Sequence, residues 1–103
     1  MAKGKGIGYE VSNVSTSTTI MTTAGKLYGL CLISKTTGAV QVAALDAKTT
    51  GVGTVIFGHS VTGGTNNADS KFCAGIACGT GLHINALACT SGSDQIIVYY
   101  GGI

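Results

Sequence analysis

Apolar residues along the chain recur mostly at every second position, in runs too short for a long helix. Val40, Val42 and Ala44 alternate with Gln41 and Ala43, and Leu82, Ile84 and Ala86 alternate with His83 and Asn85. A period of two sends one set of side chains to a buried face and the other toward solvent, as in a half-covered strand. Leu30 and Leu32 alternate with Cys31 and Ile33, so both faces of that stretch are apolar, which predicts a central strand covered on two sides. The closing run Ile96, Ile97, Val98, Tyr99 and Tyr100 is of the same kind. Strands are expected over 7–11, 17–23, 27–34, 39–45, 54–61, 72–77, 81–88 and 95–100. Breakers lie between them at Thr37-Gly38, Gly51-Val52-Gly53, Gly63-Gly64, Gly79-Thr80-Gly81 and Ser91-Gly92. The one Ala-rich stretch, Val42 to Lys48, holds barely two helical turns.

About eight short antiparallel strands in so short a chain predict an all-β, single-domain β-sandwich, with a jelly-roll as the favoured wiring. An immunoglobulin-like sandwich lacks its Cys…Trp…Cys signature, because Trp is absent. The sandwich is expected over 9–103, preceded at 1–8 by a flexible, basic, Gly-rich arm carrying Lys3 and Lys5. No apolar core of signal-peptide length follows these lysines, so synthesis in a host cytoplasm is expected. The longest near-apolar stretch, Leu27 to Ile33, is too short for a membrane-spanning helix, and no membrane partner is expected.

Composition changes this picture in one respect. Only 10% of the 103 residues are charged, against about a quarter in an ordinary domain. The charged set is six Lys, no Arg and four acidic residues, a net charge of +2 that offers few phosphate contacts and disfavours a nucleic-acid partner. A folded monomer of this mass exposes roughly 5,300 Å², and covering it ordinarily takes about 25–35% charged side chains. Ser, Thr and Gly supply neutral cover instead. Neutral cover with little net charge favours association between copies, so a homo-oligomer is expected.

The residues able to do chemistry are few. Cys31, Cys73, Cys78 and Cys89 read as buried thiols, with two disulfides or a metal site at Cys73, Cys78 and His83 as the alternatives. No close Cys-x-x-Cys pair is present, and no metal or cofactor is expected. His59-Ser60 invites comparison with a hydrolase pair, but no Gly-x-Ser-x-Gly elbow presents the serine, and both histidines read as exposed strand residues. Asp46, Asp69 and Asp94 neighbour turn residues, where a short carboxylate bonds local backbone. Gly79 to Gly81 reads as a turn, and an enzyme is not expected. Phe57 and Tyr28 fit core positions, whereas Tyr99 and Tyr100 point to opposite faces, so at least one meets solvent or a neighbour.

Lys26-Leu27-Tyr28-Gly29-Leu30, Gly53-Thr54-Val55-Ile56-Phe57, Gly79-Thr80-Gly81-Leu82-His83-Ile84 and Ile97-Val98-Tyr99-Tyr100 form a strand–Gly–strand cadence over about residues 20–103. It resembles small all-β virion proteins of tailed bacteriophages, of the capsid decoration (cement) or head-fibre type. His83 departs from the aromatic residue expected there. The resemblance implies a β-sandwich, trimeric by preference, that docks on the major capsid protein or another virion protein and stabilises the shell from the capsid surface. Partner-binding residues expected on this reading are Lys3, Lys5, Ile7, Tyr9, Tyr99 and Tyr100. The rival readings are a tail, neck or fibre component, and a carbohydrate-binding sandwich using Tyr99 or Tyr100 near Asp94 and Asn85.

Overall fold

Eight strands and no helix make up residues 10–49, 53–64, 66–89 and 93–102, which the computed structural model describes. They are β1 (Glu10–Val14), β2 (Thr18–Met21), β3 (Gly25–Ser34), β4 (Val40–Asp46), β5 (Thr54–Val61), β6 (Asn66–Cys78), β7 (Leu82–Ala88) and β8 (Gln95–Gly102). Two four-stranded sheets result, ordered β1-β8-β3-β6 and β2-β7-β4-β5, with every pairing antiparallel. First pairs with last, second with seventh, third with sixth and fourth with fifth. That nesting is one long hairpin rolled up on itself, the wiring of a jelly-roll sandwich.

The period-two pattern becomes the core directly. In the β1-β8-β3-β6 sheet, the register aligns Val14, Ile96, Leu32 and Ala68 in one inward row and Ser12, Val98, Leu30 and Ser70 in the next. From the other sheet Val40, Val42, Ala44, Leu82 and Ile84 meet them, and Leu27, Leu30, Leu32, Val40, Ala44, Leu82, Ile84, Ile96 and Val98 have no exposed surface. Burying a Leu, Ile or Val side chain contributes about 1.5–3 kcal/mol, so this interdigitated layer is the main cohesive term. Where the sheets part beside β5 and β6, Phe57 and Phe72 close the gap edge to face, with ring centroids 4.9 Å apart.

Two loops are held by carboxylates from far along the chain. Asp46 Oδ1 accepts from the backbone N–H of Thr80 (2.8 Å) and Gly81 (3.3 Å), and Oδ2 from Gly79 (3.0 Å), clasping the β6–β7 turn. Asp94, with no exposed surface, accepts from the Lys35 N–H at 2.8 Å and from the Thr36 hydroxyl at 3.2 and 3.3 Å. Ser34, also buried, donates to the carbonyls of Thr36 and Gly38 in the same β3–β4 loop. The expectation of local backbone bonding is therefore corrected for Asp46, and Asp94 too reaches a distant loop; Asp69 lies within β6 and pairs with Lys71 at 3.6 Å.

Four other expectations change. The first strand continues to Val14, three residues past its expected end, and the part of the expected range 7–11 before residue 10, like the arm at 1–8, lies outside the described residues. β6 starts at Asn66, six residues earlier than expected, because as an edge strand it shows polar Asn67, Asp69 and Lys71 to solvent. β3 is central in its sheet, but no described segment forms a second layer over its outer side, and Cys31 and Ile33 are half-exposed there. Tyr28 does not enter the core: a bulge between Leu27 and Gly29 keeps Leu27 and Leu30 both buried and leaves Tyr28 on the outer face.

Candidate docking surface

Among the described residues, two of the four acidic side chains, Asp46 and Asp94, are spent on backbone N–H groups. The surface is therefore poorer in free charge than composition alone implied. What occupies it is clearest on the outer face of the β1-β8-β3-β6 sheet. The register lays down three outward rows: Val11, Tyr99, Gly29 and Lys71; Asn13, Ile97, Cys31 and Asp69; and Gln95, Ile33 and Asn67.

An apolar stripe runs through the middle of these rows. Ile33, Cys31, Ile97 and Tyr99 are half-buried by one another, and Val11 beside them is 57% exposed. Gly29 makes room for the tyrosine, since a Cβ there would stand 3.3 Å from the Tyr99 ring and 2.7 Å from the Ser70 carbonyl oxygen. Lys71 holds its ammonium 5.2 Å from the centroid of the same ring while pairing with Asp69. Asn13, Gln95, Asn67 and Asp69 rim the stripe with polar groups. With strands about 4.8 Å apart and alternate residues about 6.8 Å apart, the apolar part covers roughly 200 Å². An aromatic and aliphatic centre inside a polar rim is the anatomy of a protein–protein contact.

Tyr99 thus lies on this face, whereas Tyr100 points the other way and packs against the core. Lys3, Lys5, Ile7 and Tyr9 lie outside the described residues. Val11, Tyr28 and Lys71 were not singled out as partner-binding residues in the sequence, Lys71 because its segment reads as loop. The both-faces-apolar pattern of Leu30 to Ile33 was the available signal for the stripe.

The other candidate groups are arranged for structure. His83 has no exposed surface, which corrects its expected exposure. Its Nδ1 lies 2.9 Å from the Thr19 hydroxyl and its Nε2 3.1 Å from Asn85 Oδ1. His59 is half-buried, with Nε2 3.3 Å from the hydroxyl of Ser70 rather than paired with its neighbour Ser60. Cys31, Cys78 and Cys89 are free thiols. Burial pushes all three pKa values up, that of Cys78 to about 11, with the nearby charges of Asp69, Asp46 and Asp94 adding to the effect at Cys31, Cys78 and Cys89 respectively. Among the described residues no group of three or more His, Cys, Asp or Glu side chains is placed to hold a metal ion.

The four residues of the carbohydrate reading do not converge. Tyr99 is on one outer face, Tyr100 is against the core, Asp94 is buried at a loop, and Asn85 serves His83 in the other sheet. No family model, curated protein or solved structure matches this chain.

Proposed function

We propose that this chain is a structural virion protein that docks on an assembled phage shell and stabilises it, a decoration or cement subunit without catalytic activity. The observation that carries the reading is the outer face of the β1-β8-β3-β6 sheet, which no described segment covers and where Val11, Tyr99, Ile97, Cys31 and Ile33 form one apolar stripe on a protein with few charged residues. The jelly-roll wiring is compatible with it, since this architecture recurs in capsid-associated domains, although it serves lectins and cupins as well. Docking would work by burying the stripe, worth about 25 cal/mol per Å² as an upper bound, repeated over many symmetric copies of the shell. The segment 1–8, with Lys3 and Lys5, would add attraction to an acidic shell surface. A tail or neck position uses the same face on a different partner.

Co-sedimentation with shells assembled from the coat protein of the same genome tests the proposal. The chain is expected to pellet with the shells. Val11→Asp, which places a charge at an exposed edge of the stripe, abolishes attachment while leaving the unfolding midpoint within error. Full attachment of that variant, or none by the parent chain, refutes the reading.

A further inference from the structure

Four strands end the two sheets, and they are not equally protected. β2 has four residues and its ladder shifts between Thr19 and Met21, and β1 carries the charged Glu10. β6 carries Asp69 and Lys71 and leaves the ladder between Lys71 and Ile76, where four of its residues stand opposite one of β3. β5 is different. Its eight residues, Thr54 to Val61, include no proline, carboxylate, lysine or arginine, and its one imidazole, His59, is turned to Ser70. Val55 on this strand is 60% exposed, and a Cβ added at Gly58 would meet nothing within 4 Å. Its ladder with β4 shifts once, at Ile56, and runs in unbroken register from Phe57 to Val61.

An edge strand offers alternate N–H and C=O groups to another chain, and natural sandwiches ordinarily guard such an edge with lysine, proline or brevity. We infer that β5 is the self-association edge of this protein: it pairs antiparallel with β5 of a second copy about a two-fold axis, extending the β2-β7-β4-β5 sheet to eight strands. Two features select a second copy as the occupant. A two-fold pairing sets each side chain against one from the same strand, so any fixed charge near the axis would meet its like, and β5 carries none. The area is also sufficient: an eight-residue strand is about 27 Å long, and the molecule is 20 Å deep along its shortest axis. Each copy then buries roughly 500 Å², about 1,000 Å² in total, which reaches the lower limit of a specific interface. Pairing of this size forms and dissociates reversibly. It leaves the outer stripe of the other sheet free, so it stands or falls independently of shell docking.

Light scattering and amide hydrogen exchange, read by NMR on the unmodified chain at a few micromolar and near millimolar concentration, test this. The mass is expected to rise from one copy to two. Over the same range, alternate amides within 54–61 slow by on the order of ten-fold or more, because only every second N–H of an edge strand faces outward, while amides of β1 and β2 keep their rates. A single-copy mass at every concentration overturns the inference. So does a trimer, or an association whose new protection falls outside β5.

Discussion

Asp94 supplies the sharpest test of how the loops are held. Its carboxylate has no exposed surface and receives the Lys35 N–H at 2.8 Å and the Thr36 hydroxyl, which is shared between its two oxygens at 3.2 and 3.3 Å. A hydrogen bond to a charged acceptor is worth about 1.5–3 kcal/mol, and the longer, divided bond belongs at the low end. Asp94→Ala removes both and strands the two donors, while relieving the cost of keeping a carboxylate from water, which offsets part of the loss. The net expectation is a destabilisation of about 2–4 kcal/mol, or a Tm lower by roughly 10–25 °C for a domain of this size. Urea unfolding at neutral pH measures it as a fall in midpoint at constant slope. The control is Asp69→Ala: its partner Lys71 and Asp69 are 60% and 51% exposed, and the loss there should stay below about 1 kcal/mol. If the two alanine variants unfold together, the buried clasp is not what secures this end of the sandwich.

Three further outcomes are expected. Hydrogen bonds from the Thr80 N–H foremost, then from Gly79 and Gly81, hold the Asp46 carboxyl below its ordinary value against an opposing effect of burial. A lowered folded pKa contributes stability that is present above the unfolded carboxyl value of about 3.9 and is lost as pH falls through the folded value. Asp46→Asn therefore lowers the urea midpoint at neutral pH and flattens its decline in acid, and an unchanged acid limb counts against the clasp. In a Cys73→Ser background, a disulfide reagent at mildly alkaline pH should modify Cys31 and Cys89 before Cys78, whose thiol is fully buried and pushed up to about 11. Rapid modification of Cys78 without unfolding refutes this order. Gly25→Ala should cost about 1–3 kcal/mol, because its Cβ would stand 2.6 Å from the Gly101 carbonyl oxygen. Gly58→Ala, with open space around it, should be neutral or stabilising by up to about 1 kcal/mol.

Strands whose inward residues are large declared themselves in the sequence. Leu30 and Leu32, Val40 and Val42, Leu82 and Ile84, Ile96 and Val98 each alternate across a half-covered sheet, and their strands lie within two residues of expectation. The edges did not announce themselves. Inward positions of β6 include Ala68 and Ser70, small groups at the thin margin of the core, so no strong period distinguishes Asn66 to Lys71 from a loop. His83 was misjudged for a similar reason: alternation assigns it to the outer face, and nothing local records that Thr19 and Leu45, its cross-strand neighbours, enclose it. The carboxylate clasps join residues 33 to 59 positions apart, a separation invisible to any local rule. The apolar stripe was half legible. Cys31 and Ile33 advertised a covered face, but no described segment covers it, and that mismatch between pattern and architecture is what points outward.

The place of β8 between β1 and β3 has a consequence for synthesis. As the polypeptide leaves the ribosome, β1 and β3 emerge well before β8, the strand that joins them. Until Gly102 has cleared the exit tunnel, the nascent chain keeps both of those edges open and cannot complete that sheet. Ribosomes stalled while β8 is still inside the tunnel should therefore hold a protease-sensitive chain, and emergence of β8 should bring its folding in a single step.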